Sequence, residues 1–146
     1  MPSQRIIEAH GERVAIYLPD GSWTDGLNFL SDDKDFIQAG TWRYSKGTRL
    51  GPHIHNEAPR EATKTQEVIY VKKGRLRAHL FDSQGVPLEQ LELGPGDLLI
   101  ALTGGHGYEV LEEGTSVLEV KNGPYVGAKA DRRKIPWQDA PTGRGA

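Results

Sequence analysis

The sequence predicts an all-β chain of about nine or ten short strands, a small barrel or sandwich. Turn signals rich in Gly, Pro, Asp and Ser recur roughly every 8–12 residues, and the chain of 146 residues holds 18 Gly and 9 Pro. Between those turns apolar and polar residues alternate, as in Arg13–Leu18 and Thr65–Lys73, the period of a half-buried strand. A third signal is Leu98–Leu102, apolar throughout, which suits a strand covered on both sides.

In order, Arg5–Ile7 and Arg13–Leu18 are the first apolar stretches, and Pro19-Asp20-Gly21 ends the second with a turn. Trp23–Leu30 reads either as a turn of helix or as a loop closing one end of the barrel. Asp35–Ser45 alternates without a purely polar face and is expected as a strand. Asn56–Lys64 is a polar loop, and Thr65–Lys73 is a strand with Thr65, Glu67, Ile69 and Val71 on one face. Gly74 turns the chain so that Arg75–Phe81 pairs back as a hairpin, and Asp82–Gly85 is the next turn. Leu88–Leu93, Leu98–Leu102, His106–Leu111 and Ser116–Lys121 follow, separated by Gly94–Asp97, Gly104-Gly105 and Glu112–Gly114.

The length suits one domain spanning 1–146. From Asn122 the composition turns to Gly, Pro and charge, so 122–146 reads as a C-terminal extension. Tyr125, Ile135 and Trp137 are expected to pin it, with the last six or so residues mobile. Its basic cluster Lys129, Arg132, Arg133 and Lys134 reads first as a solvated tail and second as a phosphate contact.

A net charge of −2 and a pI near 6.2 give no footprint for nucleic acid. No apolar run is long enough to span a bilayer, and the polar start lacks a signal-peptide pattern. Zero Cys excludes a disulfide framework and thiolate chemistry, so a cytoplasmic location is expected. The sequence carries no nucleophile elbow, dinucleotide fingerprint or phosphate-binding Gly loop with Lys.

The chemistry-bearing residues are His53, His55, Glu67 and His106. His53 and His55 are two apart, which on a strand aims both imidazoles to one face. Three imidazoles and a carboxylate on neighbouring strands are a donor set for one divalent transition metal: Fe, Mn, Ni, Cu or Zn. An inward Glu67 also needs a cation, since an unpaired buried carboxylate costs on the order of 3–5 kcal/mol. A divalent ion or a protonated His would supply it.

These residues resemble the two motifs of the cupin superfamily. In the first, Gly47 precedes His53 by a five-residue gap and Glu67 precedes Gly74 by a six-residue gap, as the motif requires. The departure is an enlarged gap of eleven residues between His55 and Glu67, which leaves Glu57 and Glu61 as alternative carboxylates. Glu67 is preferred because a strand position is more rigid than a loop. In the second motif Pro95-Gly96-Asp97, Gly104 and His106 match, while Leu102 stands in place of a second Pro and one residue is missing before the His. The resemblance covers roughly 36–120. It implies a double-stranded β-helix, or jelly roll, often dimeric, with a metal bound by His53, His55, Glu67 and His106.

Around that set, Tyr108 lies on the face of His106, and His79 shares a face with Arg75, Arg77 and Phe81. Tyr108 and His79 are candidate catalytic groups, and Arg77, Tyr108, Gln66 and Arg60 are candidate substrate contacts. The alternative for the His79 face is the solvent side of the strand, opposite Leu76, Ala78 and Leu80. The resulting expectation is a metal-dependent enzyme acting on a small polar molecule, with dioxygenase-like oxidoreductase chemistry favoured. The alternatives are a non-catalytic metal or ligand-binding module, and a sugar isomerase or epimerase.

Overall fold

The computed structural model describes residues 3–142, so part of the tail expected to be mobile (143–146) lies outside the described residues. The first strands, β1 (Arg5–Ala9) and β2 (Glu12–Leu18), form a hairpin. It turns at His10 and Gly11, with φ of 53° and 75°, the mirror-image turn that suits right-twisted strands. Next come β3 (Gly26–Phe29) and β4 (Gly40–Arg43), paired only with each other. The remaining strands are β5 (Glu67–Lys73), β6 (Leu76–Phe81), β7 (Pro87–Leu93), β8 (Leu98–Ala101), β9 (Gly105–Val110) and β10 (Ser116–Lys121). A single helical turn, α1 (Ala128–Asp131), opens the C-terminal segment.

The strands assemble into a five-stranded sheet, β1-β2-β8-β5-β10, and a three-stranded sheet, β7-β6-β9, all antiparallel. Ile69, Val71 and Leu99 from the larger sheet meet Leu76, Ala78, Leu80 and Leu93 from the smaller in one buried cluster. The reverse face of the larger sheet is covered too: Ile16, Leu18, Leu98, Ile100 and Leu102 pack with Ile37, Trp23 and Leu30. That double cover explains why Leu98–Leu102 is apolar without alternation, as expected from sequence.

The all-β expectation holds, but neither sheet closes into a barrel. β9 and β10 each keep an open edge, and residues 44–66 form no strand with which to cover one. The expected hairpin of β5 with β6 also does not form. β5 pairs with β8 and β10, while β6 pairs with β7 and β9. The apolar faces of β5 and β6 meet across the core rather than side by side, and Gly74 carries the chain between sheets. Its φ of 83° and the crowding of Thr115 against its Cα leave no room for a side chain.

Two further expectations change. Trp23–Leu30 holds β3 rather than helix, and the strand expected over 35–45 shortens to β4. Residues 32–38 instead fold into a turn held by the Gln38 side-chain amide, which donates to the carbonyls of Asp32 (2.9 Å) and Asp35 (2.8 Å). Arg13 ties that turn to β2 through Asp35 at 2.7 Å.

Candidate functional site

β5 and β9 place Glu67, His106 and Tyr108 at one end of the space between the sheets. Glu67 shares its face with Ile69 and Val71, and its register partner on β10 is Lys121. From the opposing sheet, β9 sets His106 beside Leu80 and Tyr108 beside Ala78. The Glu67 side chain is only 5% exposed, and three donors reach it. His106 Nε2 lies 2.8 Å from its Oε1, the Tyr108 hydroxyl donates to the same oxygen at 3.2 Å, and Lys121 Nζ is 3.7 Å from Oε2.

Burial by itself pushes the Glu67 carboxyl up, but the hydrogen bond and charge of His106, the charge of Lys121 and the Tyr108 hydroxyl outweigh it. The carboxyl therefore stays below its ordinary range and ionised at neutral pH. Tyr108 moves the other way: burial first, then the adjacent Glu67 charge, raise its phenol well above the usual value. An ionised carboxylate can only accept, which assigns the His106 proton to Nε2 and leaves Nδ1 as the atom free for a ligand.

These groups line a cavity of about 480 Å³. Asp82, Glu119 and Lys121 share its wall, and Lys64, Arg132 and Arg133 stand around it. Asp82 is held below its usual range by the Val86 N–H, against burial, and further by His10 and the Gln84 N–H. His10 reaches it at 3.0 Å from the β1–β2 turn.

The other two predicted ligands lie elsewhere. His53 and His55 sit in the loop of residues 44–66, where every residue from Trp42 to Lys64 is exposed and Ile54 is 91% so. They are not on a strand as expected, yet their Nε2 atoms come within 3.3 Å of each other. Among the described residues no three His, Asp or Glu side chains form a group that could hold a metal. Glu57, Glu61 and Arg60 lie in the same exposed loop.

The remaining candidates divide between the two faces of the sheets. His79 is 1% exposed and lies on the face of β6 away from the inter-sheet core, bonded to Glu109 at 3.2 Å. Trp137 covers it with a ring-to-ring distance of 4.7 Å. Arg77 shares that face and pairs with Glu92 (2.9 Å) and Glu109 (3.3 Å). Gln66 is buried with its side chain engaged inside the fold. Its Oε1 accepts from the Phe36 and Ile37 N–H groups, and its Nε2 donates to the Leu102 carbonyl.

The glycines beside His106 have a packing role. A side chain at Gly105 would meet Ile135 at 2.9 Å, and one at Gly107 would meet Trp137 at 2.8 Å. Ile135 and Trp137 thus pin the C-terminal segment as expected, whereas Tyr125 is 77% exposed. Pro95-Gly96-Asp97 is likewise structural, since Asp97 accepts from the N–H groups of Gly94 (2.8 Å) and Asp20 (2.9 Å). Burial, then the charge of Asp97, raises the nearby Tyr17 phenol to about 12.

Sequence reasoning missed Lys121, Glu119, Asp82 and His10. The alternation of Ser116–Lys121 puts Glu119 and Lys121 on one face, but only the β5–β10 register sets them beside Glu67.

The chain is thus an all-β protein of open antiparallel sheets with a small polar cavity at one end of the sandwich. No family model, curated protein or solved structure matches it. No helix among the described residues is long and apolar enough to cross a membrane.

Proposed function

We propose that this chain is an enzyme of the cupin type, acting on a small polar molecule in the cavity by proton transfer through His106. The observation that carries this reading is the 2.8 Å contact of His106 with buried Glu67 on the wall of that cavity. A carboxylate behind an imidazole fixes its tautomer and stabilises its cation, so the outer nitrogen can take a proton from a bound ligand. Tyr108, bonded to the same carboxylate, keeps its proton at neutral pH and adds a hydroxyl beside the imidazole. This constellation favours an isomerase or epimerase over the oxygenase expected from the resemblance, because Glu67, His106 and Tyr108 are arranged to move a proton.

The test uses solvent exchange. The full chain is incubated in deuterated water with a panel of hydroxy-carbonyl sugars, and deuterium at the carbon beside the carbonyl is read by NMR. The expected result is exchange into at least one compound, reduced about a hundredfold or more in His106→Ala. Exchange that persists unchanged in the variant would sink the assignment.

A metal-dependent reading keeps one supporting observation. Two nitrogens on a tetrahedral ion at about 2.0–2.1 Å sit roughly 3.3–3.4 Å apart, and His53 and His55 present theirs at 3.3 Å. The four predicted donors nevertheless stand as two separate pairs, and Glu67 is already held by His106, Tyr108 and Lys121. As arranged, these residues do not make a metal site. In this second reading the loop carries His53 and His55 to the open edge of β9. A homodimer also belongs to it, through the open β10 edge, where Leu118 and Val120 are exposed. Native mass spectrometry tests both points. A dimer with one divalent ion per chain, lost in His53→Ala, supports this reading; a metal-free 16.1 kDa monomer refutes it.

A further inference from the structure

The charges around the cavity are matched in number but not in disposition. On the reading of that cavity as the working site, we infer that its ligand carries an anionic oxygen group, a phosphate or a carboxylate, received by Lys64, Arg132 and Arg133. Each acid in the wall already has a partner. Glu67 is held by His106, Tyr108 and Lys121, and Glu119 lies 3.6 Å from the same lysine. Asp82 accepts from His10 and from the N–H groups of Gln84 and Val86, and Asp131 accepts from the Thr65 hydroxyl.

The bases differ. Among the described residues, the Lys64 ammonium and the Arg132 guanidinium have no carboxylate partner, and Arg133 donates only to the Ser83 carbonyl at 3.2 Å. All three are exposed residues bordering the cavity. The chain carries a net charge of −2, so this cluster does not follow from a generally basic protein. Two guanidinium forks and one ammonium are the donors that match the geometry of an oxyanion. A volume of about 480 Å³ leaves room for the uncharged body of the ligand to extend toward His106 and Tyr108, within the size range of small-molecule sites. For Arg132 and Arg133 this takes the second of the two sequence readings of the basic cluster, an anion contact, over the solvated tail.

The experiment compares three probes of similar body: glucose 6-phosphate, glucuronate and glucose. Each is titrated into the full chain at low salt while the backbone amides of Gly104, Gly105, Arg132 and Arg133 are followed by NMR. The expected result is a saturable shift with at least one anion and about tenfold or more weaker binding of glucose. Affinity for that anion should fall about tenfold in Arg132→Glu and in Lys64→Glu, and should weaken as salt is raised. Whichever anion binds tighter names the group. Glucose binding as tightly as both anions overturns the inference while leaving the cavity a ligand site. Charge reversals without effect on affinity also overturn it. Amides that respond to none of the probes overturn both the inference and the reading it rests on.

Discussion

Two parts of this protein carry paired polar side chains of the kind that make sites, and they are built differently. At the end of the sandwich, Glu67, His106, Tyr108 and Lys121 project from three strands in register: β5 is held by ladders on both sides, and β9 and β10 by one ladder each. In the loop of residues 44–66, His53 and His55 touch each other, with the Gly51 carbonyl 3.1 Å from His53 Nδ1. The backbone there makes no hydrogen bond to other backbone between residues 49 and 63, among the described residues. The first arrangement is preorganised by packing, and the second is held only by local contacts. A short distance between two side chains therefore means different things in the two places. At the strand end it is over-determined by the fold, whereas in the loop a few bond rotations remove it.

Stability measurements should break or sharpen that contrast. The largest expected effect is at Glu67. Glu67→Ala leaves His106, Tyr108 and Lys121 without their common acceptor and should cost about 2 kcal/mol, since hydrogen bonds to a charged group contribute roughly 1.5–3 kcal/mol. His53→Ala or His55→Ala should change stability by less than about 0.5 kcal/mol, the range of exposed substitutions. Urea unfolding of the three variants measures both. Equal losses in the two regions would show that the loop is as firmly built as the sandwich.

A smaller effect should appear in acid. The folded state depresses the Asp82 carboxyl below its ordinary 3.8, chiefly through the Val86 N–H. Its contribution is therefore fully present above that value and is lost as pH falls through the lower folded value. Asp82→Asn should flatten this part of the acid limb of an unfolding-against-pH curve. A limb of unchanged slope would show that Asp82 does not contribute to acid stability.

Much of the strand layout was legible because the signals were local. Alternation over Thr65–Lys73, the apolar run at Leu98–Leu102 and the turns at Gly74, Gly85 and Gly104 each act over a few residues. The apolar face of Leu76, Ala78 and Leu80 followed from the same two-residue period, and that put His79 on the opposite face. The site was legible only in part. Glu67, His106 and Tyr108 come together as their strand positions suggest, but the eleven residues between His55 and Glu67 carry no period that says where a loop rests. Lys121 was invisible as a partner of Glu67 because they are joined by a cross-strand register and not by sequence spacing.

What the sequence by itself determined is the all-β character and the apolar faces of β5 and β6, since both follow from side chains alternating along one strand. Which strands are neighbours was decided only in three dimensions. β5 and β6 lie in different sheets, and their apolar faces are buried against each other across the core, Ile69 and Val71 with Leu76, Ala78 and Leu80. The partners of the Glu67 carboxylate were decided there too: a charge enclosed by packing must be satisfied by whatever donors the opposing strands bring within reach.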